Sequence, residues 1–254
     1  MTTLIRQLTF AGQDTPLPAG RHSGNSLVST VLMASPEQHS EPLPIILVVY
    51  DPLVNEEMLH AICRQLAEAG YLAFAPALFA GQQTETPDAG TLTDNQIFSA
   101  LDFVANQAVG HGGDLRRLGL TGFGQGGRIG WLYAAHNPQL RAAVVWNAPL
   151  RPAISLQQPL TPLDAAGKLT APVLGLYGAQ DTAITHEEIA LMRQALKAAG
   201  QPGELIICPE TASAWPVPAA GQSTGLQQQM LAWFQRYLSP ADPAPGGRDP
   251  ATLT

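Results

Sequence analysis

The residues best placed to do chemistry stand in a glycine-rich turn, Gly122-Phe-Gly-Gln-Gly-Gly-Arg128. This turn lies between a predicted strand and a predicted helix, and its glycines match two known patterns. Gly122, Gly124 and Gly127 fit the dinucleotide-binding pattern G-x-G-x-x-G. Gly122 and Gly126 also frame position 124 as in a nucleophile elbow, where a sharp strand-to-helix turn exposes the central side chain for covalent attack.

The acidic residues help to choose between the two patterns. A dinucleotide site needs a carboxylate about twenty residues after the glycines to hold the ribose, and no Asp or Glu occurs between Gly127 and Asp164. A nucleophile elbow needs an acid after a later strand, and Asp181 follows such a strand. It also needs a His just before the last helix, and residues 209–215 contain none. These observations favour the nucleophile elbow, with dinucleotide binding through Gly122, Gly124 and Gly127 as the alternative.

Strands and helices alternate along the chain, which predicts an α/β fold with a mostly parallel twisted sheet and helices on both faces. Predicted strands lie at 44–50, 71–75, 117–121, 142–146, 172–177 and 204–208. Asn55, Asp94 and Thr185 are the predicted caps of three of the helices. We expect one domain over residues 1–238, with a core from about 45 and one or two extra antiparallel strands before it. Residues 239–254, rich in Pro and Gly, are predicted to form a flexible tail.

The chain resembles the dienelactone hydrolase (carboxymethylenebutenolidase-like) family of α/β-hydrolases from about residue 45 to 238. Four segments carry the resemblance: residues 66–76 after the first core strand, the elbow Gly122-Phe-Gly-Gln-Gly-Gly127, the acid loop Leu176-Tyr-Gly-Ala-Gln-Asp181, and Cys208-Pro-Glu-Thr-Ala-Ser-Ala-Trp215. The resemblance implies hydrolysis of esters or lactones by a Cys-His-Asp triad.

The same resemblance implies a degenerate triad. The family's nucleophilic cysteine falls on Gly124, its histidine base on Ser213, and its acid on Asp181, which is retained. Gly124 has no side chain with which to attack, and a serine hydroxyl takes up no proton near neutral pH. Glycine at 124 also removes the backbone strain that an elbow imposes on other residues.

The oxyanion hole and the substrate contacts are altered as well. The family's glutamate after the first core strand falls on Asp51, and the next residue, an oxyanion-hole donor in the family, falls on Pro52, which has no backbone N–H. The backbone N–H of Gln125 remains. Two substrate-binding arginines fall on Gly81 and Val217, and the resemblance places Trp215 and Tyr50 at the pocket mouth.

Composition limits the kinds of partner. Thirteen Lys and Arg against twenty Asp and Glu give a net charge of −7, so nucleic acid and membranes are not expected partners. Cys63 and Cys208 form neither a disulfide framework nor a zinc pattern. We expect a cytoplasmic monomer or homodimer with no metal and no cofactor, whose partner is a small apolar or ester-like ligand.

Three hypotheses about function follow. The favoured one is a dienelactone-hydrolase-like protein that is catalytically impaired or inactive and keeps a small pocket. The second is an active hydrolase that uses a displaced residue, for which Asp51, Ser213, His186 and the two cysteines are the candidates. The third is a dinucleotide-binding protein.

Overall fold

An eight-stranded sheet forms the centre of the protein, in a computed structural model that describes residues 2–10, 28–51, 54–79, 92–209 and 225–239. The strands are β1 (Thr3–Thr9), β2 (Thr30–Pro36), β3 (Leu43–Val49), β4 (Leu72–Pro76), β5 (Gly113–Phe123), β6 (Leu140–Trp146), β7 (Val173–Gly178) and β8 (Gly203–Cys208). Their order is β1-β2-β4-β3-β5-β6-β7-β8. β1 is antiparallel to β2, and β2 is antiparallel to β4. The strands β3 to β8 run parallel to one another. This is an α/β-hydrolase fold, as predicted.

Helices cover both faces of the sheet. They are α1 (Glu56–Glu68), α2 (Asp94–Val109), α3 (Gln125–His136), α4 (Pro162–Ala165), α5 (His186–Ala198) and α6 (Gly225–Leu238). α1 and α6 pack on one face in one apolar cluster. α2, α3 and α5 pack on the other face in a second cluster. The parallel strands are therefore buried on both sides, which explains their continuous runs of apolar residues.

Most helix ends follow the capping chemistry of the sequence. The Asn55 side chain accepts a hydrogen bond from the Met58 amide at the start of α1, and Thr185 with Glu188 forms a capping box at the start of α5. Gly70 has φ +89°, a conformation that other residues seldom adopt and that lets the chain turn directly into β4. These local interactions determine where α1 and α5 begin and where α1 gives way to β4.

The prediction that Asp94 caps α2 is wrong. Thr93 is the cap, in a box with Gln96, and Asp94 is the first helical residue. The side chain of Asp94 instead forms a buried ion pair with Arg128. A sequence pattern that treats Asp as a capping residue cannot see this partner, because Arg128 lies on another helix.

One strand boundary also differs from the prediction, and the number of extra N-terminal strands agrees with it. β5 is eleven residues long, where the sequence predicted only 117–121, because its first residues pair with the start of β3 through an irregular register. The extra antiparallel strands at the N-terminus are two, β1 and β2, which extend the sheet at the β4 edge. Residues 240–254 of the predicted tail lie outside the described residues. Within the described part of the chain, no helix combines the length and apolar character needed to cross a membrane.

Candidate active site

Four residues follow the carboxyl ends of neighbouring parallel strands. Asp51 comes after β3, Gly124 after β5, Asn147 after β6 and Asp181 after β7. Because parallel strands end at the same edge of the sheet, all four lie along one edge, which is where α/β folds place their ligands.

Gly124 occupies a sharp turn between β5 and α3. Its φ of 55° and ψ of −116° place it in a conformation that costs other residues strain. Its amide donates to the Trp146 carbonyl over 2.9 Å, and its carbonyl accepts from the amides of Gly127 and Arg128. The turn therefore has the backbone shape of a nucleophile elbow, with a hydrogen atom where the attacking side chain would stand.

The other glycines of the turn allow close backbone contact. A Cβ atom on Gly122 would collide with the carbonyl of Gly126, and a Cβ on Gly126 would collide with the carbonyl of Val49. A Cβ on Gly127 would come within 2.8 Å of the Ala148 methyl group. Packing of α3 against the strands therefore accounts for these three glycines without a phosphate ligand.

The carboxylate of Asp51 faces the turn at Gly124. Its Oδ2 atom would lie 3.0 Å from a Cβ atom on Gly124, and the three atoms nearest to that Cβ position all belong to Asp51. The same Oδ2 accepts a hydrogen bond from the Gln125 amide over 3.3 Å. The Asp51 carboxylate thus lies beside the position of the family's nucleophile. It also accepts the hydrogen bond of the Gln125 N–H, which the resemblance assigns to the oxyanion hole.

Two hydrogen bonds hold the Asp181 carboxylate. Its Oδ2 accepts from Nδ2 of Asn147 over 2.5 Å, and its Oδ1 accepts from the Ala183 amide over 2.8 Å. In a complete triad the acid would orient a histidine; here the described partner of Oδ2 is an amide. Asn147 has φ +44°, the one positive φ of a non-glycine residue in the described chain.

The role of Asn147 was not predicted. The only signal in the sequence is an Asn directly after a predicted strand, and Asn is among the residues that tolerate a left-handed backbone. That signal would have indicated a turn, without showing that the side chain reaches Asp181.

Buried polar and aromatic contacts surround the end of β5, directly before the turn. The Trp146 indole donates to Oγ1 of Thr121 over 3.1 Å, and the Thr121 hydroxyl lies 3.9 Å from the sulfur of Met230. The rings of Phe123 and Trp146 are nearly parallel, with centroids 5.8 Å apart. Thr121 is fully buried. These contacts fix the end of β5 against β6 and α6, so the turn stands on a rigid base.

A buried ion pair connects α3, the helix that follows the turn, to α2. Arg128 donates from Nη1 and Nη2 to the two carboxylate oxygens of Asp94, over 2.8 and 3.1 Å. Nη2 of Arg128 also donates to the Leu160 carbonyl over 2.7 Å. Arg128 therefore joins α3 to the start of α2 and to the segment between β6 and α4.

The two thiols are poor nucleophiles in this structure. Cys63 is fully buried on α1, and burial raises the pKa of its thiol to about 12. Burial also raises the pKa of Cys208 at the end of β8. Burial and the nearby Cys63 together raise the pKa of the Tyr50 phenol. His186 stands exposed in the first turn of α5.

Several predicted site residues lie outside the described residues: Pro52, Gly81, Ser213, Trp215 and Val217. The structure brings together Asp51, Gly124 and Gln125 and links Asn147 to Asp181. In the part of the chain that the structure describes, no three His, Cys, Asp or Glu side chains are grouped so as to hold a metal ion.

Fold and site together define an α/β-hydrolase framework with a glycine at the centre of its elbow. The family model of the dienelactone hydrolase family matches residues 29–238. The chain belongs to this family.

Individual relatives agree with that assignment. The chain is 44% identical over 219 residues to a protein of Escherichia coli (strain K12) named "Putative carboxymethylenebutenolidase", covering 80% of this chain and 81% of the relative. A protein of the same name from Yersinia pestis is 40% identical, over 89% of this chain and 92% of the relative. Among solved structures, a "Putative Dienelactone Hydrolase" from Klebsiella pneumoniae is 37% identical with a TM-score of 0.78, covering 93% of this chain and 100% of that one.

Proposed function

We propose that this member of the family does not hydrolyse esters by the family's covalent route and instead binds a small ester-like or lactone-like ligand without cleaving it. The observation that carries the proposal is the Asp51 carboxylate beside Gly124, with Oδ2 3.0 Å from the position of the absent Cβ. Position 124 supplies no nucleophile, and its nearest polar neighbour is an acceptor.

The state of the oxyanion hole supports the same proposal. An oxyanion hole works by aiming free donors at the charge that develops on the substrate oxygen, and loss of one donor typically lowers kcat by about 10²–10³. Here the Gln125 amide already donates to a carboxylate, and the resemblance places Pro52, which has no N–H, at the other donor position. A tetrahedral oxyanion would have to displace Asp51 and would gain little.

A second candidate function uses Asp51 itself. Its carboxylate is close enough to the elbow to act as a displaced nucleophile: attack on the ester carbonyl would break the bond to the alcohol, which leaves, and form a mixed anhydride. Water would then hydrolyse the anhydride, releasing the acid and restoring the carboxylate. The same observation that favours this role weakens it, because the attacking oxygen would be the one that occupies the Gln125 donor. Dinucleotide binding remains a third, weaker candidate, since backbone packing accounts for the glycines that suggested it.

An assay of hydrolysis together with binding separates these functions. We expect the purified protein to hydrolyse p-nitrophenyl acetate no faster than buffer alone or buffer with the heat-unfolded protein, while γ-butyrolactone shifts the Gln125 amide and Trp146 indole NMR signals in a saturable way and remains intact. Turnover above these controls that Asp51→Asn abolishes would favour the second candidate. Saturable shifts with a nicotinamide dinucleotide and none with the lactone would favour the third.

A further inference from the structure

A groove with an unusual concentration of arginine lies at the opposite edge of the sheet from Gly124. It has a volume of about 690 Å³ and is lined at the starts of β5 and β6, at the end of α6 and in the segment before β3. Three of its lining residues are Arg116, Arg117 and Arg141. The whole chain has thirteen Lys and Arg and a net charge of −7, so this concentration of positive charge runs against the composition of the protein.

Irregular strand pairing puts these arginines at the groove. Along β5 the register with β3 passes from Pro44 opposite Asp114 to Ile45 opposite Leu118, so residues 115–117 have no partner in β3. Along β6 the register with β5 passes from Leu140 to Ala142, so Arg141 is skipped. Bulges of this kind re-aim side chains and are frequent next to functional sites.

One carboxylate orders two of the arginines. Asp114 accepts from Nε of Arg116 over 3.1 Å and from Nε of Arg117 over 3.0 Å. The hydrogen bond from Arg116 holds the pKa of Asp114 down to about 2, so its negative charge persists at neutral pH. Arg117 also donates to the Pro42 carbonyl. The Arg117 guanidinium, whose side chain is 19% exposed, is therefore held in place before any ligand arrives, which lowers the entropy cost of binding, whereas the Arg116 side chain is 88% exposed.

Arg141 supplies charge that no described residue neutralises. It is exposed and makes no hydrogen bond or ion pair with any residue that the structure describes. Among the described residues that line the groove, Glu41 and Asp114 are the two acidic ones, so the three arginines leave an excess of one positive charge there. Tyr237 lines the groove, and the Arg236 guanidinium, which does not line it, lies over the Tyr237 ring at 5.2 Å from the centroid.

We propose that this groove binds a small organic anion, namely a phosphate monoester with an apolar body. Planar guanidinium groups match phosphate oxygens with paired hydrogen bonds, while Leu115, Pro138 and Tyr237 provide an apolar wall for the rest of the ligand. The proposal does not depend on the function of the elbow, because the groove and Gly124 lie at opposite ends of β5.

Titration with phenyl phosphate tests the proposal. We expect saturable binding that moves the NMR signals of Arg116, Arg141 and Tyr237 and leaves those of Gly124 and Gln125 in place. Arg141→Gln should weaken binding about tenfold or more, because it removes a charge-assisted contact made by an exposed residue. Raising NaCl from about 50 to 500 mM should weaken it further, since exposed charges are screened.

The matched control is Arg6→Gln, which removes the same charge from an exposed position of β1. It should bind phenyl phosphate as the unaltered protein does. Inorganic phosphate, titrated in parallel, should bind more weakly than phenyl phosphate because it lacks the apolar body. Equal losses in Arg141→Gln and Arg6→Gln, or shifts that do not saturate, would overturn the proposal.

Discussion

Oδ2 of Asp51 accepts a hydrogen bond from the Gln125 amide over 3.3 Å. A side chain that follows β3 therefore occupies the first backbone N–H donor of α3. The helix start favours a negative charge, because its amides are unsatisfied and its dipole is positive there. In this protein an internal carboxylate fills that position, next to a residue that has no side chain.

The first prediction concerns Gly124→Cys. We expect this variant to lose about 1–3 kcal/mol of unfolding free energy, because φ +55° strains any side chain. The new Cβ would also force the Asp51 carboxylate to shift by a few tenths of an ångström. No esterase activity should appear, since the resemblance places Ser213 where the family has the histidine base that would activate the thiol. Gly124→Ala is the matched control, with the same strain and no thiol.

The combination of Gly124→Cys, Ser213→His and Pro52→Ile should hydrolyse p-nitrophenyl acetate at least about tenfold faster than any of the single variants, because members of a triad act as a unit. Initial rates of the purified variants at equal concentration give the comparison. If Gly124→Cys alone were as active as the combination, a base other than position 213 would be present in the site.

The second prediction concerns the buried ion pair. Arg128→Met alone should cost about 3–5 kcal/mol of unfolding free energy, because it leaves the Asp94 carboxylate buried without its partner. The double variant Arg128→Met, Asp94→Leu should recover a large part of that loss. Urea denaturation at neutral pH measures both free energies.

The exposed pair between Arg116 and Asp114 is the internal comparison for this prediction. The Arg116 side chain is 88% exposed, so Arg116→Gln should lower the unfolding free energy much less than Arg128→Met does. Equal losses in the two variants would mean that the link from α3 to α2 contributes little to stability.

The third prediction is a loss of stability at alkaline pH. Burial raises the pKa of Cys63 from 9.0 to about 12 and that of Tyr71 from 10.0 to about 12. Both groups stay neutral in the folded protein and lose their protons more easily when it unfolds. Their contribution is therefore complete below about pH 9, and it is lost as the pH rises to about 12.

Urea denaturation between pH 8 and pH 12 checks this expectation. Tyr71→Phe keeps the ring and removes the titrating hydroxyl, so its unfolding free energy should fall less steeply with pH than that of the unaltered protein. Cys63→Ala should behave in the same way. Identical slopes for all three proteins would show that neither group is responsible.

The sequence predicted the framework of the site better than its contacts. The apolar runs before Asp51, Gly124 and Asp181 predicted the strands, and the glycines of 122–127 predicted the turn, because both depend on local patterns. The fold class and the family are confirmed. The lack of a side chain at position 124 also follows from the sequence alone, because the residue is glycine.

Contacts between distant elements could not be predicted in this way. Asp94 looked like a helix cap because capping is a local rule, whereas its ion pair with Arg128 depends on how α2 and α3 pack. The bond from Asn147 to Asp181 spans two strands. The contact of Asp51 with the Gln125 amide depends on the register of β3 against β5, which composition and spacing do not specify.

The central claim is that no acyl group is transferred to the elbow of this protein. Intact-mass and peptide-mapping mass spectrometry after incubation with p-nitrophenyl acetate, followed by timed quenching, tests it most directly. We predict no acetyl adduct on Asp51, on residues 122–128 or on Ser213, and no burst of p-nitrophenol. An adduct on one of these residues that forms and decays at the rate of product release would contradict the account.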